Sequence, residues 1–197
     1  MRRDHQTEVR AIVDTIHSGE FRPIRRVSPD RLRSAVWSSG QPIWSTDENR
    51  HQVVAAVATS RETPPAHVAH VLGLSEDRQV WVRRRRFLVD DEPVQLATSY
   101  FPADLVDGST ITEADTGPGG SYARLRDLGH EPVRFREELR ARVPDSEEAA
   151  ALGLTQGTPV IVIVRTAYTD ADQAVEVNEM TLDANAYIVE YRFSAQD

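Results

Sequence analysis

Apolar residues recur along the chain first at helical spacing and then at strand spacing. Val9, Ile12, Val13 and Ile16 fall three and four apart with Gly19 behind them, which predicts a helix over about 8–18. A second short helix is expected with Ser28 as N-cap, Pro29 at the first helical position and Leu32, Ala35 and Val36 on one face. Gly40 and Pro42 end it, and the polar stretch 45–52 reads as a loop. From Val53 the pattern changes. Residues 53–59 read as a strand, and Pro64 and Pro65 open a short helix that stops at Leu72-Gly73. Residues 80–89 and 94–101 are β-rich runs joined by Asp90-Asp91-Glu92-Pro93, a hairpin signature. A glycine-rich loop over 106–120 leads into a helix over 121–128, closed by Gly129. Val133, Phe135, Glu137, Leu139 and Ala141 then alternate with polar neighbours, as in a half-exposed strand. A helix over 145–152, strands over 160–167 and 175–182, and a last strand over 187–193 complete the pattern.

The pattern repeats. Residues 71–91 and 151–171 agree, at an offset of 80, at Leu72/Leu152, Gly73/Gly153, Leu74/Leu154, Val80/Val160, Val82/Val162, Arg85/Arg165 and Asp90/Asp170. Each half therefore holds a short helix, Leu-Gly-Leu, and a long hairpin. A lone hairpin is marginal in water, so two such units are expected to share one antiparallel sheet. The expected fold class is α+β: an internally duplicated helix–hairpin unit building a six- or seven-stranded antiparallel sheet with short helices on one face.

Composition narrows the function. The 197 residues carry a net charge of −8, which disfavours nonspecific nucleic-acid binding by the body of the chain. Residues 1–33 run the other way, with eight arginines against five acidic residues, so Arg22, Arg25, Arg26, Arg31 and Arg33 are the candidate phosphate contacts. With no cysteine there is no disulfide framework, zinc ribbon or thiol nucleophile. No apolar run is long enough to span a membrane, and the start Met1-Arg2-Arg3-Asp4-His5 lacks a signal-peptide core, which predicts a cytoplasmic protein.

Three features could carry chemistry. Strand alternation puts Arg83 and Arg85 on one face with Trp81 and Phe87, and Arg84 and Arg86 on the other with Val82. Arg84 and Arg86 read as a solvated face. Arg85 and its counterpart Arg165 sit in apolar registers, where a guanidinium must pair with an internal carboxylate or an anionic ligand. Gly117-Pro118-Gly119-Gly120-Ser121-Tyr122 runs straight into a helix and offers backbone N–H groups to an anion or simply permits a turn; it lacks the residues of a P-loop. Glu176 and Asn178 share a face of the second hairpin, and Glu176 could partner a buried arginine or bind ligand hydroxyls or amines. His67 and His70 share a helical face without further ligands, so no metal site is expected. No cofactor and no catalytic residues are assigned, since no nucleophile elbow or other catalytic setting is present.

From about residue 53 onward the sequence resembles the ligand-sensing UTRA domain of HutC-type regulators in the GntR family. The resemblance rests on Arg85-Arg86-Phe87-Leu88-Val89-Asp90-Asp91-Glu92-Pro93-Val94, Thr98-Ser99-Tyr100-Phe101-Pro102 and Gly119-Gly120-Ser121-Tyr122-Ala123-Arg124-Leu125. The 144–160 stretch, Val175-Glu176-Val177 and Tyr191-Arg192-Phe193 extend it. It implies a chorismate-lyase-like fold and a homodimeric transcriptional regulator that binds a small anionic effector and modulates contact with operator DNA. Members with sugar-phosphate effectors use an arginine, a tyrosine and a glutamate at positions that match Arg85, Tyr122 and Glu176. The expected effector site is therefore Arg85, Phe87, Gly120, Ser121, Tyr122 and Glu176. Family polar residues fall on Phe87, Ala97 and Leu182, which implies a more apolar pocket and a less polar anion, held by Arg85 and roofed by Phe87. Residues 46–197 are assigned to the UTRA domain. Residues 1–45 form a basic helical segment and linker where the family carries a winged helix, so a truncated or absent DNA-reading module is expected. Two alternatives remain open: a stand-alone sensor without DNA binding, and a chorismate-lyase-like enzyme using Arg85 and Glu176.

Overall fold

The computed structural model describes residues 23–46, 51–75 and 77–192. The helix expected over 8–18 and Arg22 lie outside them. Strand β1 is Ile24–Arg26, followed by the short helices α1 (Ser28–Arg31) and α2 (Ser34–Ser38) and a 3-10 turn at Ile43–Thr46. Pro29 stands at the start of α1, where its missing N–H costs nothing. The first unit is β2 (Gln52–Glu62), α3 (Ala66–Leu72), β3 (Val80–Val89) and β4 (Glu92–Pro102). After α4 (Ala103–Val106) and α5 (Gly120–Asp127) the second unit follows as β5 (Arg134–Arg142), α6 (Ser146–Leu152), β6 (Val160–Tyr168) and β7 (Ala174–Asp183). β8 (Tyr187–Val189) is last.

The six long strands form one antiparallel sheet in the order β2-β3-β4-β7-β6-β5. That order is symmetric about the β4/β7 junction, so the two units meet as the repeat implied. Both copies of Leu-Gly-Leu close their helices alike: Gly73 and Gly153 each sit at φ 64°, in the left-handed region that glycine tolerates. Leu74 N–H then reaches back to Ala69 C=O and Leu154 N–H to Ala149 C=O, both at 2.9 Å. The first hairpin turns through Asp90 and Asp91, at φ 51° and 67°, the paired positive angles of a two-residue turn.

The seven-stranded alternative is corrected. β8 does not join the large sheet; it pairs in parallel with β1 as a separate two-stranded ribbon, Ile24 opposite Tyr187. The duplicated helices α3 and α6 do share one face of the sheet, where Val68 and Leu72 meet Val82, Tyr100 and Val177, and Leu152 meets Val160 and Val162. The opposite face is not bare. α5 and the N-terminal segment cover it, burying Trp37 with Tyr122 and Phe101, and Ile24 and Trp44 with Phe87 and Met180.

Candidate functional site

Alternation along each strand sends one set of side chains into the space between that second face, α5 and the N-terminal segment. There they line a cavity of about 790 Å³. All six sequence-derived residues, Arg85, Phe87, Gly120, Ser121, Tyr122 and Glu176, border it.

The floor carries a polar row that crosses five strands in register: Arg83 opposite Ser99, Ser99 opposite Asn178, Asn178 opposite Arg165 and Arg165 opposite Glu137. Arg83, Ser99, Asn178 and Arg165 are all buried. Arg85 lies one step off this row and donates from Nη2 to Ser99 Oγ. Its guanidinium stands 5.8 Å from the centre of the Phe87 ring.

The glycine loop is held from two sides. Arg83 donates to the carbonyls of Ile111 at 2.6 Å and Ala114 at 3.1 Å, and also to that of Glu113. On the other side Gly119 N–H donates to Gly40 C=O at 2.9 Å. A Cβ at Gly119 would stand 2.4 Å from Trp37 O and 2.6 Å from Ala123 Cβ, so only glycine lets the loop dock against the N-terminal segment. α5 begins there without a side-chain cap, and its first turn borders the cavity.

Several buried polar atoms facing this space have no hydrogen-bond partner among the described residues: Arg85 Nε, Gln95 Oε1, Glu176 Oε2 and Asn178 Oδ1. Buried polar groups are normally paired, so these unpartnered atoms mark the floor as a candidate site. Among the described residues no three His, Asp or Glu side chains gather as a metal site, and His67 instead meets Glu179 on the helix-covered face at 2.6 Å.

The model of the family described as the UTRA domain matches residues 48–188. The chain belongs to the UTRA family. Over 163 residues it is 31% identical to an uncharacterised HTH-type transcriptional regulator of Streptomyces coelicolor, covering 78% of this chain and 61% of that protein. It is 31% identical over 120 residues to the HTH-type transcriptional repressor PhnF of Mycolicibacterium smegmatis, covering 61% of this chain and 48% of PhnF. The chain thus spans about half to three-fifths of the length of these relatives. The crystal structure of the PhnF effector domain superposes with a TM-score of 0.63 at 25% identity, over 73% of this chain and 86% of that one. The ligand-binding domain of a putative GntR-family regulator from Bordetella bronchiseptica gives 0.63 at 27% identity, over 76% and 94%.

Within this UTRA domain the two duplicated arginines have different surroundings. Arg165, fully buried, donates from Nε to Glu137 Oε1 at 2.8 Å and from Nη1 to Tyr122 Oη at 3.4 Å. Burial opposes its charge, but Tyr122 and Glu137 outweigh burial and hold its pKa above the ordinary arginine value. Arg85 lies opposite the bulge between Ala55 and Ala58 on β2, where Ala56 adopts φ 50° and Val57 borders the cavity. No carboxylate stands there. Burial pushes Arg85 below its ordinary pKa, with Glu176 acting in the other direction. Burial and the neighbouring Arg85 likewise lower Arg83, to about 10. Burial, then the Glu176 charge, push the Tyr122 hydroxyl well above its ordinary value.

Two of the arginines offered as phosphate contacts are elsewhere. Arg26 is buried and donates from Nη2 to Glu137 Oε1 at 2.9 Å, beneath the sheet face. Arg31 is buried too and borders the cavity. Arg25 pairs with Glu190 at 3.2 Å, and the exposed Arg33 with Asp30 at 2.8 Å. Arg84 is exposed and tied to Glu62 at 2.6 Å, the solvated role expected of it. Sequence reasoning missed Arg83 as the loop's anchor, Gln95 and Trp44 as cavity walls, and Arg31. For Gln95 a signal existed, since it shares strand parity with Ala97 and Ser99.

Proposed function

We propose that this chain is the effector-sensing part of a GntR-type transcriptional regulator: it binds a small anionic metabolite in the cavity and thereby modulates contact of the whole regulator with operator DNA. Arg85 carries this reading. It is a duplicated arginine whose twin is neutralised by Glu137, while its own position faces the cavity opposite a bulge without a carboxylate. A half-buried cation in that setting is compensated by a ligand anion, gripped through the planar guanidinium. The α5 N-terminus adds its positive dipole end beside Gly120, Ser121 and Tyr122. Relatives named as HTH-type transcriptional regulators support the DNA-linked role.

The regulator acts as a homodimer, joined through the outer edge of β5. Val133, Leu139 and Val143, on or beside this strand, are exposed apolar residues. An antiparallel copy centred on Leu139 would set Leu139 opposite itself, Glu138 opposite Arg140 twice and Phe135 opposite Val143. Arg136 would face Arg142, each arginine already met by a carboxylate of its own chain, Glu138 and Glu148. The other edge, β2, carries the bulge that blunts pairing.

A thermal-shift screen of acidic metabolites on the wild-type chain and Arg85→Ala tests the site, because a ligand that binds only the native state raises the midpoint. An acid that raises the wild-type midpoint and leaves the variant unmoved is expected. Equal shifts in both proteins would remove Arg85 from the site.

A further inference from the structure

The duplication relates more than the two arginines. Arg85 faces Ala97 as Arg165 faces Asn178, so the hairpins superpose with Gln95, opposite Phe87, in the place of Glu176, opposite Ala167. Both residues are buried, both border the cavity, and both keep a side-chain oxygen without a partner among the described residues, Oε1 of Gln95 and Oε2 of Glu176. One end of the floor therefore carries an acidic acceptor and the other a neutral one.

The surroundings of Gln95 define what would meet it. The Phe87 and Trp44 rings pack edge to face at 4.6 Å beside it, and Val54, Ala97 and Met180 complete an apolar wall. Trp44 Nε1 is turned away, donating to Tyr187 Oη at 3.4 Å, so the indole offers this end its apolar surface. Gln95 is two residues along the same face from Ala97, the partner of Arg85. Arg85 and Gln95 are thus diagonal neighbours, with Cα atoms about 7–8 Å apart. One substituted benzene ring spans that interval.

We propose a second subsite at Gln95 that takes the far end of an aromatic acid: the acid group on Arg85, the ring against Phe87 and Trp44, and a ring O–H or N–H donating to Gln95 Oε1. The inference rests on the anion-sensing reading of Arg85 and names the class of ligand. An unpaired buried acceptor penalises any ligand that covers it without donating, so Gln95 selects a ring bearing a donor over the same ring without one.

Titration calorimetry with phenylacetate and 4-hydroxyphenylacetate tests it. On the wild-type chain the hydroxylated acid is expected to bind about tenfold tighter, the value of one net hydrogen bond. Gln95→Met, similar in length and apolar, should abolish that preference and leave phenylacetate within about twofold of its wild-type affinity. Gln95→Glu keeps an acceptor and should keep the preference while weakening both acids by charge repulsion. Should Gln95→Met fold poorly, Gln95→Glu and the wild-type pair still decide. Equal wild-type affinities, a preference that survives Gln95→Met or is lost in Gln95→Glu, or no binding of either acid overturns the subsite. Arg85→Ala separates the two readings. If it loses both acids, the anion site stands whatever Gln95 does; if it binds both unchanged with the preference intact, the Gln95 subsite stands and the role of Arg85 falls.

Discussion

Arg165 and Arg85 occupy the same place in two copies of one hairpin, but only Arg165 has a carboxylate across the neighbouring strand. Glu137 fills that role on β5, whereas β2 bulges at Ala56-Val57. Duplication supplied two arginines, one buried and one half-buried, and the backbone irregularity leaves the half-buried Arg85 without a carboxylate across the neighbouring strand.

Restoring the missing symmetry should silence the site. Val57→Glu places a carboxylate on the cavity wall beside Arg85. The affinity for any acid that binds in an Arg85-dependent way is expected to fall at least about tenfold in calorimetric titration, because an internal partner now competes for the guanidinium.

Glu137 receives both Arg26 and Arg165, so its loss strands two buried charges at once. Glu137→Ala should destabilise the chain by about 3–5 kcal/mol, the usual cost of breaking a buried ion pair from one side. Urea unfolding measures it; a loss under about 1 kcal/mol would mean that solvent reaches the cluster.

Gly119→Ala forces a Cβ against Trp37 O and Ala123 in a left-handed backbone conformation. The strain should lower the thermal midpoint and free the glycine loop from the N-terminal segment. Faster hydrogen exchange at Gly119 N–H, now bonded to Gly40, would report the detachment.

Arg142 donates to Glu148 Oε1 at 2.6 Å and Thr181 to the same oxygen at 2.9 Å. The Arg142 guanidinium holds the Glu148 carboxyl down from 4.5 to about 2. A carboxyl with a lowered folded-state pKa stabilises the fold above its unfolded value and loses that contribution as the pH falls. The midpoint difference between wild type and Glu148→Gln should therefore be full near neutrality, shrink below about pH 4.5 and vanish near pH 2. A difference independent of pH would show that the pair acts by packing alone.

Leu139→Lys puts like charges at the centre of the proposed β5 pairing. Analytical ultracentrifugation should find a dimer for wild type and a monomer for the variant, with an unchanged thermal midpoint at low concentration. A wild-type monomer at all concentrations would dismiss the β5 interface.

Much of this was legible in the chain itself. Leu72-Gly73-Leu74 and Leu152-Gly153-Leu154 announced two helix stops, because a left-handed residue after a helix is a local requirement that glycine meets. Strand parity put Arg85 and Phe87 on one face, since alternation follows from the extended backbone. Arg26 was misplaced for the opposite reason. Nothing local distinguishes a basic residue exposed to solvent from one that reaches Glu137, more than a hundred positions away.

The sequence by itself determined the duplicated helix–hairpin units, the symmetric sheet they imply and which side of each strand faces which way, because turns, helix stops and periodicity are set by neighbours along the chain. Only the tertiary structure decided which arginine meets a carboxylate across the next strand. That choice depends on which strand edge lies beside each guanidinium, on Arg83 reaching across to the loop carbonyls, on Trp44 lining the cavity, and on Trp37 packing against Tyr122 behind it. Each is a contact between segments far apart in sequence, selected by burial and charge compensation once the sheet has formed.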